Sequence, residues 1–168
     1  MLRAWGTPAQ MGRAHGALLR TEILEIVDGY ALDVIPPATL EAAGLLYGTA
    51  AEVPPRLLQE AEGVIAGMKA AGGAHVPRLD RELRATDLLV LNAMTDLLAI
   101  GCSSVSAWGG ATEGAPELGG APMLVRNLDW SEDPELLRNQ VIFVFRPDDP
   151  ERQPVVSVAF AGYLGCLS

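Results

Sequence analysis

The chain has 168 residues, enough for one domain with its own apolar core. Twelve basic against 21 acidic residues leave a net charge of −9, which argues against a nucleic-acid binder and fits a soluble acidic protein. Apolar residues make up 49% of the chain, yet Asn92 breaks the run Leu88-Leu89-Val90-Leu91 far short of the ~18 residues a membrane span needs.

The first hundred residues read as helix. Thr7-Pro8-Ala9-Gln10 is a helix start: Thr7 caps, Pro8 suits the first turn and Gln10 closes a capping box. Met11, Leu18, Leu19, Ile23, Ile26, Val27 and Tyr30 follow at roughly helical spacing, and Pro36-Pro37 ends the pattern. A short helix is expected over Thr39–Leu46. Pro54-Pro55 opens the next one, which runs to about Ala71 and stops at Gly72-Gly73. Gly63 and Gly67 inside it each cost about 1 kcal/mol of helix propensity relative to Ala. A third helix is expected from Asp80 to Ile100, with leucines on more than one face.

After Gly101 the texture changes. Ser103–Trp108 reads as a strand of small side chains. Met123–Asp129 reads as a second, hairpin-paired with the first across a turn-rich segment bracketed by Gly109-Gly110 and Gly119-Gly120. Val141–Phe145 is a third, apolar enough to be central, and Val155–Phe160 is a fourth beyond the turn Pro147–Pro150. Helices followed by antiparallel strands make the expected class α+β.

Few side chains offer chemistry. Cys102 and Cys166 are too few for a disulfide framework. His15 and His75 are far apart with no ligand spacing, so no zinc site is expected. His15 reads as structural on its helix and His75 as solvated in a loop. Asn92 and Asp96, four apart, read as a satisfied buried pair, and Cys166 as an apolar packing residue. No phosphate-binding glycine loop is present.

Cys102 stands out by position, since it follows Gly101 at a helix-to-strand junction. Cleavage of the Gly101–Cys102 bond would give one residue both a thiol and an α-amine, and an α-amine with a reference pKa of about 7.7–8.0 suits a base near neutral pH. Two other readings stand beside this one. Cys102 is a small buried residue at a strand start in a non-catalytic α+β interaction domain, or it is the thiol of an ordinary hydrolase with His15 or His75 as base.

Gly101-Cys102-Ser103-Ser104, the strand through Trp108-Gly109, and Arg126-Asn127-Leu128-Asp129-Trp130 together resemble the cysteine N-terminal-nucleophile hydrolases. The nearest branch is the autoproteolytic acyltransferase/hydrolase family typified by isopenicillin-N acyltransferase, to which acid ceramidase is related. Met11-Gly12-Arg13-Ala14-His15-Gly16 and the helix from Asp87 to Asn92 look like that family's pro-region. The resemblance implies a partial αββα sandwich, with residues 1–101 a helical pro-segment and 102–168 the start of the catalytic sheet. It implies Cys102 as nucleophile after autocleavage between Gly101 and Cys102. It implies Arg126 as an active-site arginine and Asp129 as a carboxylate holding the nucleophile's ammonium or the arginine, with Asn127 structural. It also implies a small acyl amide or ester substrate, acyl-coenzyme A as a further donor class, and no metal or organic cofactor. The segment between Trp108 and Arg126 is longer than the family's hairpin. The family's oxyanion-hole Asn and second sandwich half are not in this sequence, so the chain is expected to be an N-terminal fragment, inactive alone. With no leader or span in the chain, a cytoplasmic location is the default expectation.

Overall fold

The computed structural model describes residues 1–50, 52–97, 102–129 and 131–164. Gly101, Trp130 and Cys166 lie outside this set, as do the side chains of Asp96 and Cys102. The described chain is α+β.

The chain opens with a strand, β1 (Leu2–Gly6), which the helical reading of the first hundred residues missed. Only five residues carry its signal, Leu2 and Ala4 being buried while Arg3 and Trp5 are exposed. Helix α1 (Pro8–Leu18) starts where expected, with the full capping box: Gln10 N–H donates to Thr7 Oγ1, and Thr7 N–H donates to Gln10 Oε1.

The expected continuous helix to Tyr30 is instead broken. It restarts as α2 (Arg20–Ile26), widens into a π-helical turn (Val27–Ala31) and ends in α3 (Leu32–Val34). Apolar spacing alone cannot register a one-residue bulge of this kind. Arg78 braces the π turn from outside. Its guanidinium donates to the carbonyls of Asp28 (2.7 Å) and Leu32 (3.3 Å).

Helix α4 (Pro37–Ala50) is longer than expected. Helix α5 (Pro55–Ala70) runs as predicted, and Gly72 and Gly73 leave it with φ of +123° and +99°. The third helix starts later than expected, as α6 (Ala85–Leu97). The residues before it form a small ribbon, β2 (His75–Val76) against β3 (Arg81–Glu82). Asp87 explains the late start. It is buried, accepts the Arg84 N–H at 2.7 Å, and takes both Arg81 nitrogens at 2.7 and 3.0 Å. That carboxylate fixes Arg84 as the residue at the helix mouth.

Four further strands complete the description, each within one residue of its expected start. They are β4 (Cys102–Ala107), β5 (Met123–Leu128), β6 (Gln140–Pro147) and β7 (Val155–Phe160). Two short helices, α7 (Gly110–Glu113) and α8 (Pro134–Arg138), lie in the connections. The order in the main sheet is β1-β6-β7, so the apolar strand β6 is central as expected. β1 runs parallel to β6, and β7 antiparallel to it. The N-terminal residues therefore join a sheet built mainly from the C-terminal segment.

Two compact units emerge: Met1–Met94 with Glu132–Ser168, and Thr95–Ser131. In the first, one face of the sheet carries Leu2, Ala4, Val141, Phe143, Phe145 and Ala159, all buried. Phe143 meets the His15 ring of α1 at 4.9 Å between centroids. The opposite face presents Trp5, Ile142, Val156 and Val158 to solvent. The second unit is the β4–β5 hairpin and its loop.

Helices α1 and α5 lie unusually close, and glycines permit it. A Cβ added at Gly12 would meet the Glu60 carbonyl, at Gly16 that of Val64, at Gly63 that of Ala9 and at Gly67 that of Arg13, each closer than 3.0 Å. Gly63 and Gly67, which weaken the helix taken alone, are the surface on which it packs.

Gly16→Ala is expected to push α1 off α5 and destabilise the chain by about 2–3 kcal/mol. Gly44→Ala in α4, whose new methyl would come no nearer than 4.0 Å to Thr86 Oγ1, is expected to be neutral or stabilising by up to about 1 kcal/mol. Urea midpoints of the two variants against the parent check both.

Candidate active site

The β4–β5 hairpin and the residue after it carry Cys102, Arg126 and Asp129. Cys102 is the first residue of β4 and sits in register with Leu128. Two positions along, Ser104 sits opposite Arg126. Because strand residues two apart share a face, positions 102, 104, 126 and 128 belong to one face of the ladder. Arg126 is exposed on that face. Val105 and Val125 are directly opposed on the other, with Met123 next to them opposite Ala107.

Asp129 follows the last residue of β5 and is exposed. Its Oδ1 accepts the Asn127 side-chain amide at 2.7 Å. Asn127 has the opposite strand parity from Arg126, so the ladder groups Arg126 with position 102, while the hydrogen bond joins Asn127 to Asp129 beyond the strand end. The hydrogen bond of Asn127 to the Asp129 carboxylate is of the kind a structural Asn makes. The signal was in the i, i+2 spacing of Asn and Asp, which favours such local bonds.

The long connection between the strands is folded on itself. Gly109 N–H donates to Gly120 carbonyl at 3.0 Å, closing the loop at the two glycine pairs picked out in the sequence. Gly109 and Gly120, at φ of +57° and +85°, adopt a backbone that residues with a Cβ rarely take. Within the loop Thr112 is buried, with its hydroxyl between the carbonyls of Gly109 (3.2 Å) and Ala121 (3.0 Å). The extra length thus forms a self-contained cap on the hairpin end away from Cys102.

In the other unit His15 is wholly buried on α1. Its Nε2 accepts the Gly162 N–H at 3.0 Å, so the ring proton of the neutral form sits on Nδ1, which has no hydrogen-bond partner among the described residues. Burial lowers its pKa from 6.5 to about 4. A ring with its one lone pair already engaged is poorly suited to act as a general base. His75 is exposed on the two-residue strand β2.

Asn92 converges on the same turn. Its Nδ2 donates to the carbonyls of Leu88 (2.7 Å) and Gly162 (3.1 Å), and its Oδ1 accepts the Leu164 N–H at 2.8 Å. The expected partner, Asp96, lies outside the described side chains. A cavity of about 20 Å³ lies beside Asn92, Tyr30 and Tyr163, room for about one water and too small for a substrate. Among the described residues no cluster of three or more metal-ligating side chains occurs. No helix among them is long and apolar enough to cross a membrane. The chain matches no protein-family model and no curated protein.

The buried histidine makes stability depend on pH. Between about pH 4 and 6.5 the ring is neutral in the folded chain and protonated in the unfolded one. Its contribution is therefore whole above pH 6.5, falls as the pH drops toward 4, and stops falling below 4. The full loss is about 3 kcal/mol. Urea unfolding between pH 7 and pH 4 should show this slope in the parent and a shallower one in His15→Gln.

Proposed function

We propose that the chain belongs to a self-cleaving cysteine hydrolase or acyltransferase with Cys102 as its N-terminal nucleophile. The observation that carries this reading is the place of Cys102. It opens strand β4 directly after the proposed scissile bond, and Arg126 lies two register positions along on the same face. The exposed apolar face of the main sheet, with Trp5, Ile142, Val156 and Val158, also fits the reading, since a sandwich requires such a face for a second sheet.

In this reading the Cys102 thiol attacks the carbonyl carbon of Gly101. The peptide C–N bond breaks, the nitrogen takes a proton, and a thioester joins Gly101 to the sulfur. Water hydrolyses the thioester, leaving a Gly101 carboxylate and a Cys102 with free thiol and α-amine. In turnover the sulfur attacks an amide or related acyl carbonyl while the α-amine takes the thiol proton. The amine returns that proton to the leaving group, and water or an acceptor amine resolves the acyl thioester. Arg126 presents a planar cation to an oxyanion or polar head group. Asp129, oriented by Asn127, offers a negative charge that raises the basicity of a nearby amine.

A non-catalytic interaction domain is the competing reading. The exposed Val105, Trp108, Leu124 and Val125 of the hairpin favour it, because such residues also suit a binding surface.

Intact mass of the full chain is expected to show two pieces divided between Gly101 and Cys102, and Cys102→Ala is expected to stay whole. A parent chain that never divides, with a Cys102 as slow toward a thiol probe as a buried cysteine, would instead support the interaction domain.

A further inference from the structure

Two side chains from two helices hold one turn. His15 of α1 accepts the Gly162 N–H, while Asn92 of α6 binds the Gly162 carbonyl and the Leu164 N–H. Gly162 has φ of +88°, and a Cβ there would come within 3.5 Å of Ile23. The turn therefore depends on both its glycine and its side-chain ties.

The two ties differ in kind. The Asn92 amide keeps its donors and acceptor at any ordinary pH. The His15 Nε2 keeps its lone pair only while the ring is neutral. On protonation Nε2 becomes an N–H and faces the Gly162 N–H donor to donor. The imidazolium would also sit in a fully buried site with Phe143 against its ring. One side must then give way. It is not α1, whose Gly12 and Gly16 lie on the backbone of α5. The turn follows the edge strand β7 and is tied by single hydrogen bonds, those of Asn92 and that of the Ala161 N–H to the Asn139 carbonyl, rather than by close-packed backbone.

We propose that His15 is an acid-sensitive latch on the turn 161–164, holding Gly162 when neutral and releasing it when protonated. The charged groups on the elements packed against α1 and its ring do not set the titration. These are Arg3 on β1, Arg146 on β6, and Arg56, Glu60, Glu62 and Lys69 on α5. Arg20, Glu22 and Glu25 lie on α2, and the Tyr163 hydroxyl lies in the turn itself. Burial is the one cause that displaces the ring's pKa. The latch does not depend on the catalytic reading of Cys102.

Heteronuclear NMR of the full chain from pH 7 to pH 3 tests it, following the His15 ring carbons, the Gly162 and Leu164 amides, and the core amides of Met68 and Leu83. The expected result is a Gly162 amide that shifts and loses protection with the same midpoint as the His15 ring, near pH 4, while Met68 and Leu83 stay protected. In His15→Gln, whose amide oxygen accepts without titrating, Gly162 is expected to hold across that range. A Gly162 amide unmoved through the His15 titration would overturn the latch. So would simultaneous loss of Gly162, Met68 and Leu83, which means global unfolding. The parent titration decides between these outcomes even if the variant does not fold.

Discussion

The close approach of α1 to α5 is the constraint on which the larger unit depends. Four glycines, two on each helix, remove the side chains that would hold the backbones apart. Each costs helix propensity, and the return is dispersion contact between main chains over two turns of each helix. With α1 fixed, its other side is available to the sheet. His15 reaches from it to Phe143 on the central strand and to the Gly162 amide after β7. One helix thus connects the helical layer, the sheet and the terminal turn, and a histidine does so without any charged partner.

The same constraint explains why a buried histidine can persist there. Removing an imidazole from water is tolerable when the ring stays neutral and its acceptor is satisfied. The Gly162 N–H supplies that satisfaction, and burial keeps the ring neutral. The Nδ1–H, without a partner among the described residues, is the remaining cost, of the order of 1–3 kcal/mol for a buried donor.

Much of this architecture was legible in the sequence, for reasons that can be named. The Thr7 capping box, the Pro54-Pro55 start, the Gly72-Gly73 stop and the apolar central strand β6 are local signals, and the structure places all four as expected. Strand β1 was not legible, because five residues cannot establish a period and its pairing partner lies about 140 residues away. The π turn was hidden because a bulge preserves the apolar pattern on either side of it. Gly63 and Gly67 were read for their propensity cost alone, since propensity describes a helix and not its neighbour. At the candidate site, the hairpin of β4 with β5 was legible from two short strands on either side of a segment bracketed by glycine pairs. The coupling of Asn127 to Asp129, and of Asn92 to the turn at Gly162, depends on side-chain geometry that spacing only hints at.

The functional account rests on one residue and its place in a hairpin. Cys102 begins β4, the register groups Arg126 with position 102, and Asn127 holds the Asp129 carboxylate just beyond β5. The claim that separates this account from its competitor is chemical: Cys102 becomes an N-terminal residue. A cyanobenzothiazole probe, which condenses with a 1,2-aminothiol and not with an internal cysteine, tests it directly. The account predicts stable label on a fragment that begins at Cys102. Label absent from every fragment, with both cysteines still open to ordinary thiol alkylation in an undivided chain, would contradict it.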